Sequence, residues 1–180
     1  TLITGNLALK QAALAAGDSG LEGAIAWLSN TADGTAVDPW NDASHPLNND
    51  NPAAGYYSSI NPGAPLDPFA ENTWSAVSSA PDTGGYSGPN GEEYFNSAHT
   101  NPTGNVVRYV IQRMCRTPNQ VLSESNCLFS DTSEDNRTKR VLSSSEAGGG
   151  STSAGSPIYR ITTRVIGPRN TLSYTQAYAY

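Results

Sequence analysis

Two cysteines, two histidines and a few carboxylate clusters are the residues of this chain with chemistry to offer. Cys115 and Cys127 are an even count at short spacing in a chain poor in charge, which predicts one disulfide. Closing a loop of that size contributes about 3 kcal/mol in the chain-entropy picture. The alternative, a metal or redox pair, lacks both a C-x-x-C spacing and a neighbouring histidine. His45 and His99 lie in Asn/Pro/Ser-rich stretches, and no Gly-x-Ser-x-Gly elbow makes either one half of a nucleophile–base pair. Glu92-Glu93 reads as solvated turn charge. Asp131-Thr132-Ser133-Glu134-Asp135-Asn136 alternates oxygen ligands as a calcium loop does, but it has no turn glycine and position 142 is Leu rather than the closing Glu. Asn48-Asn49-Asp50-Asn51 is a second, equally incomplete candidate. Gly148-Gly149-Gly150 runs into Ser151 and Thr152 with no helix behind it, so it is not a phosphate loop. Asn136-Arg137-Thr138 matches a glycosylation sequon, a pattern that also arises by chance. The expectation is a protein without catalytic residues, metal or cofactor.

The elements that carry these residues begin with one amphipathic helix over residues 1–30. Leu7, Leu14, Leu21 and Leu28 recur every seven residues, with Ile25 beside them. That spacing predicts a packing stripe of Leu7, Leu14, Leu21, Ile25 and Leu28 against the rest of the fold. Alanines fill much of the remainder and favour the helix. Gly17, Gly20 and Gly23 lie on one side of it, and glycine inside a helix marks either a weak middle or a close approach. The helical pattern is under way at Thr1, with no initiator Met or signal peptide ahead of it, which implies that a segment was removed.

Residues 31–104 are turn chemistry: Asp38-Pro39, His45-Pro46, Asn51-Pro52, Asn61-Pro62-Gly63, Gly88-Pro89-Asn90-Gly91. So many prolines after turn residues forbid long regular elements. A connection of that length has to be pinned by its aromatics, Trp40, Tyr56, Tyr57, Phe69, Trp74, Tyr86, Tyr94 and Phe95. Residues 105–180 carry the sheet. Asn105 to Cys115 is apolar on both faces and reads as a central strand. Residues 116–126 form the disulfide loop and 130–155 are low-complexity. Pro157 to Ile166 and Thr171 to Tyr180 read as an antiparallel hairpin. In its second strand the small residues Thr171, Ser173, Thr175, Ala177 and Ala179 share one face, which suits the helix. The expected architecture is a single α+β domain over 1–180, a long N-terminal helix on a small antiparallel sheet with long loops.

Charge is scarce and uneven. Charged residues are 14% of the chain, well below the cytosolic norm of about 25%, which points weakly to an extracellular setting. Residues 1–104 hold one cation and eleven acids, and the remainder nine cations and five acids. The halves can neutralise each other within one fold, or give a subunit an acidic and a basic face that pack head to tail. The net charge of −6 disfavours nucleic acid as a ligand. The longest apolar-leaning run, Ala12 to Leu28, is broken by Gly17, Asp18, Ser19 and Glu22, so no stretch reads as a membrane span.

Three stretches together resemble the type IV pilins, specifically minor pilins of the PilX-type pilus-assembly class. Thr4-Gly5-Asn6 with Gln11-Ala12-Ala13 resembles the family's segment just after the membrane helix. Gly104-Asn105-Val106-Val107-Arg108-Tyr109-Val110-Ile111-Gln112-Arg113-Met114-Cys115 resembles its central strand. Tyr159 to Thr171 resembles its C-terminal hairpin. These motifs cover about a third of the chain. The resemblance implies a type IV pilin-like fold and a non-catalytic subunit that takes part in assembly, priming or the tip of a pilus serving adhesion, motility or DNA uptake. Residues 1–30 would be the soluble half of the N-terminal helix. It would face other major and minor pilins on one side and the sheet on the other. The resemblance places the apolar membrane-anchoring half, the processing site and the acidic residue that most pilins carry upstream of Thr1. It implies an inner-membrane anchor with a periplasmic domain before assembly, and an extracellular fibre after it. The chain departs from the family in the low charge of Ala12 to Gly23.

A second reading comes from the loops. Long Asn/Ser/Tyr/Trp-rich segments suit a secreted adhesin-like or carbohydrate-binding module with a surface or glycan ligand. That reading expects Trp40, Trp74 or Tyr86 exposed in a shallow cleft. The pilus reading expects them to pin the long connection to the sheet.

Overall fold

The computed structural model describes residues 2–61, 66–75, 80–81, 104–130 and 155–180. One helix, α1 (Leu2–Asp33), lies over one face of a sheet formed by β1 (Tyr56–Tyr57), β2 (Ala80–Pro81), β3 (Val106–Arg113), β4 (Tyr159–Gly167) and β5 (Thr171–Ala179). The α+β layout is as the sequence implies. The sheet order is β1-β3-β4-β5, with β2 beside β1 on the same edge of β3.

The sheet is mixed rather than wholly antiparallel, because β1 runs parallel to β3. Parallel neighbours need a long crossover, and the Pro-rich connection after β1 supplies it. Elsewhere the pairing is antiparallel: β3 pairs with β4 from Val106↔Ile166 to Arg113↔Tyr159, and β4 with β5 from Tyr159↔Ala179 to Gly167↔Thr171. The hairpin turns through a short 3₁₀ helix, Pro168–Asn170. Asn170 takes φ +59°, a conformation that Asn tolerates better than most residues.

This register sorts the strands into two faces. Toward α1 point Val107, Tyr109 and Ile111 of β3, Ile161, Thr163 and Val165 of β4, and Thr175 and Ala179 of β5. The other face carries Val110, Arg164 and Tyr174, against which Tyr57 and Trp74 pack. The small face of β5 therefore meets the helix and its tyrosine-rich face does not, as the alternation predicts.

The connection from 31 to 61 is built of turns and two 3₁₀ helices, Pro46–Asn48 and Pro52–Ala54, each started by proline at a position whose N–H needs no partner. Asn51 caps the second by accepting from the Ala54 N–H, and Gly55 closes it at φ 67°, the left-handed region that glycine enters freely. A further 3₁₀ helix, Glu71–Trp74, carries Trp74.

Candidate functional site

The helix has two stretches with different surroundings. From Ala13 onward, Ala13, Ala16, Gly17, Gly20, Gly23, Ala24 and Leu28 are buried on the sheet. Before that, residues 5–8 are exposed and a Cβ added at Gly5 would meet nothing within 4 Å. At Gly20 an added Cβ would lie 2.7 Å from Val107 Cγ1 and 3.2 Å from Thr163 Cγ2, and at Gly17 2.8 Å from Thr175 Oγ1. These glycines mark a close approach of helix to sheet, not a weak middle.

The leucine stripe is thereby corrected. Leu28 is fully buried, Leu21 and Ile25 are half-buried on the flank of the core, and Leu7 and Leu14 are 55% and 58% exposed. The reason is rotational. A seven-residue repeat drifts about 20° per heptad on a straight helix. The leucine line therefore turns into the docked face only by Leu28, while the Ala/Gly line at three- and four-residue spacing lies over the sheet throughout. An apolar bias blind to small residues selects the wrong line; the coincidence of three glycines with alanines was the available signal. The outcome is a helix face with Leu7 and Leu14 in solvent, next to Lys10 and Gln11, which are also exposed.

Below the helix the connection is fixed by a buried arginine. Arg113, the last residue of β3, donates from Nε to the Ser58 carbonyl (3.1 Å), from Nη1 to Asn48 Oδ1 (2.7 Å) and from Nη2 to the Gln120 carbonyl (2.7 Å). One guanidinium thus joins the connection, the strand and the disulfide loop, its fork satisfied by neutral oxygens. Asn48 passes the link on, donating to the carbonyls of Pro39 and Asp42. The Asp50 carboxylate accepts from the Ser58 N–H and hydroxyl, and the Asp50 N–H donates to Asn119 Oδ1. The Cys115–Cys127 disulfide is formed, and Trp40 stacks on Phe129 beside it.

Two of the candidates belong to this network. In Asn48-Asn49-Asp50-Asn51, Asn48 Oδ1 accepts from Arg113, Asp50 Oδ1 from Ser58 and Asn51 Oδ1 from the Ala54 N–H. Asn49 donates to the carbonyls of Ala43 and His45. His45 is buried, and its Nδ1 accepts from the Leu47 N–H at 3.0 Å, capping the Pro46–Asn48 turn. Burial and then the Arg113 charge hold its pKa below the ordinary 6.5, against the pull of Asp38 and Asp42. Burial likewise raises the phenols of Tyr56 and Tyr159, the latter to about 12, and Tyr56 donates to the Leu47 carbonyl. These are structural assignments for groups that could otherwise do chemistry. Among the described residues no three His, Cys, Asp or Glu side chains gather as a metal site. His99, Glu92-Glu93, the 131–136 segment, the sequon and Gly148 to Gly150 lie outside the described residues.

On the far face of the sheet, Glu71 pairs with Arg164 through both carboxylate oxygens (3.0 and 2.7 Å), and the guanidinium lies 5.9 Å from the Trp74 ring centre. The Arg164 hydrogen bonds lower the Glu71 pKa. An acid of the first half meets a cation of the second, so here the uneven charge is settled inside the fold. Trp74 is buried, and its indole N–H donates to the Pro68 carbonyl. Tyr56 and Tyr57 are buried as anchors too. Phe69 is not: it stays exposed, edge-on to Tyr174. Tyr86, Tyr94 and Phe95 lie outside the described residues.

Among the described residues no helix is long and apolar enough to cross a membrane. Compared with known proteins, the sequence matches no family model, no curated protein and no solved structure.

Proposed function

We propose that this chain is the globular part of a type IV pilin-like minor subunit, a non-catalytic component of fibre assembly. The observation that carries the reading is the division of α1. One face is docked on the sheet by Ala13, Gly17 and Gly20, while Leu7 before it and Leu14 on the face turned away from the sheet are in solvent. A helix that covers its own sheet with one face and leaves leucines of another face in solvent suits packing among neighbouring helices in a fibre core. In this reading the helix continues upstream as a membrane anchor, the domain is periplasmic before assembly, and the subunit is extracellular afterwards. The partners are other major and minor pilins.

Two further features support this over a secreted glycan-binding module. Trp74 is packed between Tyr57, Val110 and Tyr174, and Trp40 is half-buried on Phe129. Both pin the connection instead of lining an open cleft.

The test is made in the source cell. Leu7→Glu with Leu14→Glu in the chromosomal gene is expected to cut surface fibres to the level of a gene deletion, while circular dichroism of the purified chain stays native. Fibre numbers unchanged in both strains would overturn the proposal.

A further inference from the structure

The second unpartnered surface among the described residues is the outer edge of β5. It is the last strand of the sheet, and among the described residues it makes no hydrogen bond beyond β4 and its own turn. Folded proteins usually guard such an edge with a lysine, a proline, a bulge or a short strand. TLSYTQAYA has none of these: it is nine residues long, regular throughout, and without Lys, Arg, Asp, Glu, Pro or Gly. Its exposed large side chains are Leu172 (52%) and Tyr178 (57%), both on the face away from α1.

We propose that β5 pairs edge to edge, antiparallel, with β5 of a second copy of this chain. The strand is complementary to itself about Thr175, its central residue. A two-fold axis there sets Leu172 opposite Tyr178 twice, Tyr174 opposite Gln176 twice, and Ser173 opposite Ala177 twice. Every apolar residue of the outer face meets an apolar or amide partner, and no like charges meet. Pairs of this kind are the unit of sheet stabilisation. The even register keeps outer face with outer face, so the two helices lie on the same side of one continuous sheet. Any other two-fold register shortens the overlap, and a shift by one residue sets the small helix-side residues against the tyrosines. An acidic or basic partner strand gains nothing from an uncharged edge, whereas an identical strand matches it in length, alternation and polarity.

The contact is modest. Nine residues span about 31 Å, and a strip about 10 Å wide along them buries roughly 300 Å² per copy. That is below the roughly 800 Å² per partner of a stable complex, so the dimer is reversible and concentration-dependent. The proposal is independent of the pilus reading, because it uses neither Leu7 nor Leu14.

Sedimentation velocity of the 180-residue chain over a concentration series into the millimolar range tests it. The wild type is expected to move reversibly from monomer to dimer. Leu172→Glu with Tyr178→Glu sets glutamates opposite each other at both outer pairs and should weaken the dimer roughly tenfold or more. Leu172→Lys with Tyr178→Glu sets Lys opposite Glu and should restore it. Both positions are exposed, and circular dichroism checks that each variant folds. Hydrogen exchange on the wild type gives a second measure, since β5 amides should gain protection as the concentration rises. A chain that stays monomeric with β5 exchange unchanged overturns the proposal. So does a dimer indifferent to the glutamate pair but lost in Leu7→Gln with Leu14→Gln, which would place the contact on the helix.

Discussion

The docked and the exposed faces of α1 use the same small alphabet of Ala, Leu and Gly and do opposite things with it. In the docked stretch the small residues face the protein and let the helix axis come close to Val107, Thr163 and Thr175. Before it a Cβ added at Gly5 would meet nothing within 4 Å and Leu7 faces water, as Leu14 does on the face of the docked stretch turned away from the sheet. Small residues are thus the tight contact, Leu21, Ile25 and Leu28 join the core at one end, and Leu7 and Leu14 are surplus to it. Apolar surface that a fold does not use for itself is available to a partner.

The sharpest way to break this contrast is to truncate a leucine on each face. Leu28→Ala removes a fully buried side chain packed with Leu47, Tyr56 and Ile111, and should cost about 2–5 kcal/mol of unfolding free energy. Leu14→Ala should change stability by no more than about 0.5 kcal/mol. Leu14→Asp should also leave the domain folded, whereas a leucine stripe packed on the sheet would make it severe. Urea denaturation of the three variants decides between them. Equal losses at 14 and 28 would mean that the face carrying Leu14 is packed in solution.

Glycine substitutions probe the same division from the other side, with smaller effects. Gly20→Ala gains about 1 kcal/mol of helix propensity but drives a methyl against two buried strand side chains, so a net loss of roughly 1 kcal/mol is expected. Gly17→Ala should be milder, because the atom it meets is the hydroxyl of half-buried Thr175, which can rotate. Gly5→Ala has open space and should stabilise by roughly 0.5 kcal/mol. Thermal midpoints that fall in the order Gly5→Ala, Gly17→Ala, Gly20→Ala would fix the line along which the helix docks.

The legible parts of the fold were those written in a period. β3, β4 and β5 alternate or run apolar over eight or nine residues, and each lies within a residue or two of its expected bounds. The disulfide followed from a count of two. The parallel β1 was not legible, since two tyrosines have no period. Nor was the role of Arg113, a charged residue ending an apolar strand: its three acceptors come from Asn48, Ser58 and Gln120, which lie far apart in sequence. The docked face of α1 was half legible. Its glycines stood out, but hydrophobic periodicity gives weight to side-chain size, and this contact depends on the lack of it.

Acid gives a probe confined to the docked side. His45 caps the turn that places Leu47 in the core with Ala24 and Leu28, so its proton acts on the docked end of α1 and not on the projecting one. Its folded pKa lies below 6.5 because burial, and then Arg113, disfavour the imidazolium. The unfolded chain therefore binds the proton first. The stability contributed by neutral His45 is complete above 6.5 and is lost as pH falls from there through the folded pKa. His45→Asn keeps an acceptor for the Leu47 N–H, since Asn is a good cap, and removes the titration. Unfolding free energies measured from neutral pH down to about pH 5 should fall more steeply for the wild type than for His45→Asn. Parallel profiles would show that His45 takes its proton without disturbing the turn, and would leave Leu47 held in the core by its apolar contacts and by the Tyr56 hydroxyl on its carbonyl.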